Sequence, residues 1–183
     1  MRREDVIAKA REFLGTPLAH QGRIKGKRID CVGLVLCVAD ELGLFDKNGN
    51  SLGRNDHLNY GPQPLGNLVH ETTKERLVLK WEASQKTPMP ELTPGDVLTI
   101  RNPSAACHAG IVSSLNGSLS IIHAYAVGPE LPGLRNKQRV CEHVIDADWR
   151  RRIEGIFEFP GVQSSLGEKN GAAQVPGKES LGE

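Results

Sequence analysis

The sequence predicts an α+β fold, with helices first and a mostly antiparallel sheet after them. Apolar residues recur at helical spacing up to Leu42, and the period changes to two after Pro94. An Asn-Gly pair at Asn116 and Gly117 then separates two alternating runs, as in a tight hairpin. Runs of helix followed by runs of strand are the pattern of segregated α+β domains.

The first helix presents Val6, Ile7, Ala10, Phe13 and Leu14 on one face, and Gly15, with Pro17 beyond it, stops it. The loop TPLAHQGRIKGKRI leads to a second helix from Cys31 to Leu42, closed by Gly43. Its apolar positions run nearly all round, which marks a helix buried on most sides. From Asp46 to Pro94 the pattern is weak. DKNGNSLGRNDHLNYGPQPLG is turn-rich and irregular, whereas GNLVHETTKERLVLKWEA fits either one helix or a helix followed by a short strand. PGDVLTI opens a strand, HAGIVSSL and SLSIIHAYA flank the Asn-Gly turn, and RVCEHVI and RRIEGIFEF follow as strands. Residues 1–160 thus read as one compact domain. Residues 161–183 have few apolar positions and no period, so they read as a low-complexity tail, disordered in isolation.

A net charge of +1 over 183 residues gives no electrostatic reason to expect nucleic acid or an anionic membrane as partner. The start, MRREDVIAKAREF, is charged and lacks the apolar stretch of a secretory signal. No segment approaches the roughly 18 apolar residues of a membrane span. Synthesis and folding in a cytoplasm, without membrane insertion, are the expectation. Cys31, Cys37, Cys107 and Cys141 form no C-x-x-C pair, so neither a zinc site nor a thioredoxin-like motif is signalled. A reducing compartment disfavours a disulfide framework, and Cys37 and Cys141 read as small buried apolar residues.

Asp30 stands where an N-cap belongs, its carboxylate able to accept from a free amide of the first helical turn. That puts Cys31 at the first helical position, where unpaired amides and the helix dipole favour an anion. A free thiol is only about 3% ionised at neutral pH, and such a position raises that fraction. Gly33 permits close approach of another backbone or a substrate.

The hairpin adds two imidazoles. With Asn116-Gly117 as a two-residue turn, Leu115 faces Ser118, Val112 faces Ile121 and Gly110 faces His123. His108 and His123 then lie on one face as diagonal neighbours, about 7–8 Å apart at the backbone and within side-chain reach. A cysteine nucleophile needs a base, and the base needs a third group to orient it; Cys31, His108 and His123 suit those roles in that order. A metal site around Cys107 is disfavoured, because strand parity turns Cys107 away from His108.

LGTPLAHQGRIKGKRIDCVGLV, PGDVLTI, HAGIV and IIHA, in this order, resemble the NlpC/P60 cysteine peptidases of bacterial cell-wall metabolism. HQG before DCVGLV, LNYGPQP after the second helix and VCEHVIDADWRRRIEGIFEFP are similar to the variant carried by tailed phages and gene-transfer agents. The resemblance covers about residues 5–160. It implies a papain-like fold and hydrolysis of peptidoglycan stem peptides, with Cys31 as nucleophile, His108 as base, His123 as orienting residue and no metal or organic cofactor. It also implies a virion enzyme, made in the host cytoplasm and carried on tail-tip or hub proteins, which acts in the cell wall or periplasm. Bound tail proteins would order residues 161–183. One departure is Leu18, where the family often has tyrosine; His20 or Gln21 would supply the missing contact to substrate. A milder one is Val32, where many relatives have serine. Arg23, Lys25, Lys27 and Arg28 read either as a solvated basic loop or as partners for stem-peptide carboxylates. The rival reading is a structural tail-tip component that keeps the fold without turnover.

Overall fold

The computed structural model describes residues 1–53, 60–61, 67–101, 106–125 and 138–163, without the side chains of residues 106 and 107. Most of LNYGPQP, the side chain of Cys107 and the tail beyond residue 163 therefore lie outside the described residues.

Helix α1 spans Arg3–Arg11, and the Asp5 carboxylate caps it by accepting from the Arg2 amide at 3.0 Å. Val6, Ala10 and Phe13 are fully buried as the spacing predicts. Leu14 is not: it is 43% exposed. The helix ends a turn earlier than expected, and the chain swings away through Gly15 (φ +83°), whose amide donates to the Val140 carbonyl. Helix α2 spans Cys31–Glu41, and Gly43 follows it at φ +63°, the left-handed conformation that closes helices. Between the helices lies a small hairpin that the sequence did not announce, β1 (Arg23–Ile24) and β2 (Arg28–Ile29).

The ambiguous stretch divides into helix α3 (Leu68–Arg76) and strand β3 (Val78–Glu82). Strands β4 (Val97–Arg101), β5 (Ala106–Leu115), β6 (Ser118–Tyr125), β7 (Arg139–Val144) and β8 (Ile153–Glu158) complete a sheet ordered β3-β8-β4-β5-β6-β7. Every neighbouring pair is antiparallel. A short helix, α4 (Ala147–Arg151), precedes β8 and takes only Arg151 from the stretch expected as the last strand. Asp146 nucleates it by accepting from the Trp149 amide at 2.9 Å.

The sheet has a core on each face. On one, Leu34, Val35, Val38 and Ala39 of α2 and Val6 and Ala10 of α1 pack on Ala109, Ile111, Ile122 and Ala124. On the other, Leu98, Ile100, Val112, Ile121, Ile153 and Ile156 are covered in part by Trp149. The aspartate of PGDVLTI ties α1 to the sheet. Asp96 is wholly buried and accepts from Arg3 at 2.6 Å, from Lys80 at 2.8 Å and from the Thr93 amide at 2.9 Å.

Candidate active site

Asp30 organises the mouth of α2. Its Oδ1 accepts from the Gly33 amide at 2.6 Å, the N-cap bond the sequence predicts, and from Arg23 Nη1 at 2.7 Å. Its Oδ2 accepts from the Gln21 amide at 2.8 Å and from the Tyr60 hydroxyl at 2.5 Å. Four donors on a buried carboxylate make it a hub and not only a cap. A Cβ on Gly33 would lie 2.3 Å from the Gly22 carbonyl oxygen, so this glycine admits the loop backbone. Asp30→Ala removes the cap and strands buried donors, and is expected to lower unfolding free energy by about 3 kcal/mol in urea titration.

The loop residues are held by the same hub. Gln21 adopts φ +55° and donates its side-chain amide to the Tyr60 carbonyl at 2.9 Å, and the His20 ring meets the Tyr60 ring edge-on at 5.2 Å. Arg23 Nη2 donates to the Tyr60 hydroxyl at 2.7 Å, and Lys25 pairs with Glu12 at 2.5 Å and with Glu41 at 3.0 Å. Two of the four loop cations are therefore engaged within the chain, whereas Lys27 and Arg28 are exposed. Burial, followed by the Asp30 carboxylate, pushes the Tyr60 phenol above its ordinary value, so it remains a donor. A phenol thus stands at the helix mouth although Leu18 does not supply one.

The hairpin register is as expected, with Ile111 facing Ile122 and Val112 facing Ile121 around Asn116 (φ +52°) and Gly117 (φ +80°). His108 and His123 emerge on one face, and His108 Nε2 lies 2.7 Å from His123 Nδ1. Gly110 makes the room: a Cβ there would lie 3.0 Å from the His123 Cβ and 2.6 Å from Ile121 Cδ1. Both rings are buried, 8% and 0% exposed respectively. Burial, then Arg152 and His143, pushes His108 down to about 4, and burial and the same neighbourhood hold His123 well below its usual range. Both imidazoles are neutral at neutral pH.

This depression couples to stability. Between the unfolded value near 6.5 and the folded value near 4, the unfolded chain binds the proton that folded His108 refuses. Stability therefore falls as pH drops through that window. His108 alone is expected to remove about 2 kcal/mol between pH 7 and pH 5, and His108→Leu to flatten that slope, read by denaturant titration at each pH.

The helix mouth and the imidazole pair share one end of the sheet. The chain before α2 runs beside β7, with the Leu18 amide donating to the Gln138 carbonyl and the Val140 amide to the Thr16 carbonyl, both at 2.8 Å. Ile29 is then held against Pro17, its amide donating to that carbonyl at 2.9 Å. At this end β7 and β5 begin and β6 finishes. The faces differ: α2 packs on the face of Ala109 and Ala124, whereas the imidazoles share the face of Ile100 and Trp149. The structure thus brings His108 and His123 together, whereas Cys31, half-buried, opens the helix that packs on the other face. The β4–β5 register shifts at the same end, Ile100 facing His108 and Arg101 facing Ala106. Val32 and Ala109, the chain neighbours of Cys31 and His108, line one cavity of about 330 Å³ with Tyr60, Val35, Leu36 and Leu68.

Sequence reasoning missed Tyr60, His143, Trp149 and Arg152. Tyr60 lies inside a turn-rich run with no period to place it. His143 belongs to the imidazole face only once the β6–β7 register is known, Ile121 facing His143 and His123 facing Cys141. Trp149 meets the rings of His123 at 5.0 Å and His143 at 4.8 Å, with Arg152 stacked 4.3 Å from its own ring.

No protein-family model and no curated protein matches the sequence. Solved structures match in fold. An NlpC/P60 family protein from Bacillus cereus aligns with a TM-score of 0.53 at 15% identity, over 87% of this chain and 40% of that one. The NlpC/p60 domain of the peptidoglycan hydrolase SagA aligns at 0.46 and 18% identity, over 87% of this chain and 100% of that domain. An N-acetylmuramoyl-L-alanine amidase from Bacteroides uniformis aligns at 0.46 and 15% identity, over 85% and 96%. The described chain, α+β with helices on an antiparallel six-stranded sheet, has the fold found in NlpC/P60 proteins.

Proposed function

We propose that this chain hydrolyses an amide bond of peptidoglycan stem peptides through Cys31, with His108 as base and His123 orienting it. The hydrogen bond between His108 Nε2 and His123 Nδ1 carries the reading, because it leaves His108 Nδ1 as the nitrogen able to take a thiol proton. The helix mouth supports it, since the positive end of the α2 dipole favours a developing thiolate and an oxyanion. His108 is neutral at rest, so it takes the thiol proton as a general base. Sulfur attacks the carbonyl carbon, the C–N bond breaks, and the proton on His108 passes to the leaving amine. Water then adds to the thioester with His108 as base, releasing the acid and the thiol.

The motif resemblance to the phage and gene-transfer-agent variant supports delivery on a tail tip, with tail-tip or hub proteins as partners and action at the cell wall. A second reading, a structural tail component without turnover, is favoured by one observation: both imidazoles are buried on the face away from the body of α2. Digestion of defined muropeptides by the purified chain, with product masses read out, separates the two. Products of a single amide cleavage, absent with Cys31→Ala, are the expected result; intact muropeptides with both proteins leave the structural reading.

A further inference from the structure

His123 has a nitrogen that the mechanism leaves unexplained. Its Nε2 is buried and has no hydrogen-bond partner, although Nδ1 bonds to His108. Which proton His123 carries decides what His108 can do. If His123 Nδ1 is protonated, it donates to His108 Nε2, and neutral His108 carries its own proton on Nδ1, where a base must be bare. If His108 Nε2 is protonated, it donates to His123 Nδ1; His108 Nδ1 is then free, and His123 holds its proton on the orphan Nε2. Burial without an acceptor disfavours the second, productive arrangement.

His143 is the ring that meets His123 from the β7 side. It is diagonal to His123 on the same face, as His108 is from the other side, so three imidazoles cross β5, β6 and β7 in a row. The His143 and His123 rings meet at 72° with centroids 4.7 Å apart. His143 Nδ1 lies 3.0 Å from the Val144 carbonyl, which only accepts, so Nδ1 carries the proton and neutral Nε2 is an acceptor. Among the described residues, the other rings and charges around His123 are His108, the stacked Tyr125 ring, Trp149 and the Arg152 guanidinium; Trp149 and Arg152 only donate, and no hydrogen bond joins Tyr125 to His123.

We infer that His143 is a positioning residue: by a small rotation of its ring it accepts the Nε2 proton of His123 and so selects the tautomer in which His108 can act as base. The inference deepens the proposed hydrolysis and rests on it for its consequence, though not for its structural content. Long-range ¹⁵N–¹H spectra of the labelled full chain report the tautomer of each histidine directly. The expected result is an Nε2-protonated His123 in the wild type and an Nδ1-protonated His123 in His143→Phe, with His143→Gln, which keeps an acceptor, restoring the first. On muropeptides, His143→Phe is expected to lower kcat about tenfold with KM within about twofold, and His143→Gln to recover most of it. Melting temperatures of both variants identify any loss due to unfolding, in which case the spectra of His143→Gln decide. An unchanged His123 tautomer in His143→Phe overturns the inference. A tautomer switch in a wild-type protein that cleaves nothing upholds it and overturns the hydrolase reading instead.

Discussion

Cys31→Ser is expected to reduce muropeptide cleavage by at least about 10³-fold while leaving the melting temperature within a few degrees. The two halves of this result have separate physical origins. Serine is nearly isosteric with cysteine and sits at a first helical position whose cap, Asp30, is untouched, so the helix mouth keeps its four-donor hub. A serine hydroxyl, however, ionises far less readily than a thiol, and a buried neutral imidazole is too weak a base to compensate. His108→Ala is expected to be as damaging to turnover, and to cost stability as well, because it leaves His123 Nδ1 buried and unpaired. His123→Ala is expected to keep residual activity, since that ring orients and transfers no proton in the chemistry.

Gly110→Val is expected to destabilise the chain by about 3 kcal/mol and to separate the imidazoles. The position is crowded on both sides: even a methyl group would stand 2.6 Å from Ile121 Cδ1 and 3.0 Å from the His123 Cβ. Ile121 and His123 are fully buried, so either retreats only by displacing its neighbours. Relief comes either from bending β5 away from β6 or from turning His123, and each breaks the 2.7 Å contact with His108. Denaturant titration reads the first effect, and histidine ¹⁵N shifts read the second. A variant of wild-type stability with unchanged imidazole shifts would show that Gly110 is not what allows the pair to meet.

The sequence was most legible where local chemistry is strong. The Asn-Gly turn set the register of the hairpin without any tertiary information, and through it the meeting of His108 and His123. The Asp30 cap followed from a single residue type at a helix start. What stayed hidden depends on packing between distant segments. Leu14 obeys the helical period yet is exposed, because the turn at Gly15 is anchored by β7 and ends the helix early. Tyr60 joins the site through hydrogen bonds to residues 30 and 37 positions away, and no local pattern encodes those. His143 required the β6–β7 register, which no tight turn between those strands announces. The face on which α2 packs was equally invisible, since alternation along β5 states that two faces exist and not which one the helix covers.

Everything catalytic depends on Cys31 sulfur coming within proton-transfer distance of His108 around the end of β5. Iodoacetamide alkylation at pH 7, followed cysteine by cysteine by mass spectrometry in wild type and His108→Ala, measures that proximity most directly. Cys37 and Cys141 are internal controls: the Cys37 thiol lies 3.6 Å from the Arg23 carbonyl, and burial pushes the Cys141 thiol up. The predicted result is that Cys31 reacts fastest and slows at least about tenfold when His108 is removed, with the two controls unchanged. Equal Cys31 rates in the two proteins would contradict the account, because the sulfur and the imidazole would then be chemically unacquainted.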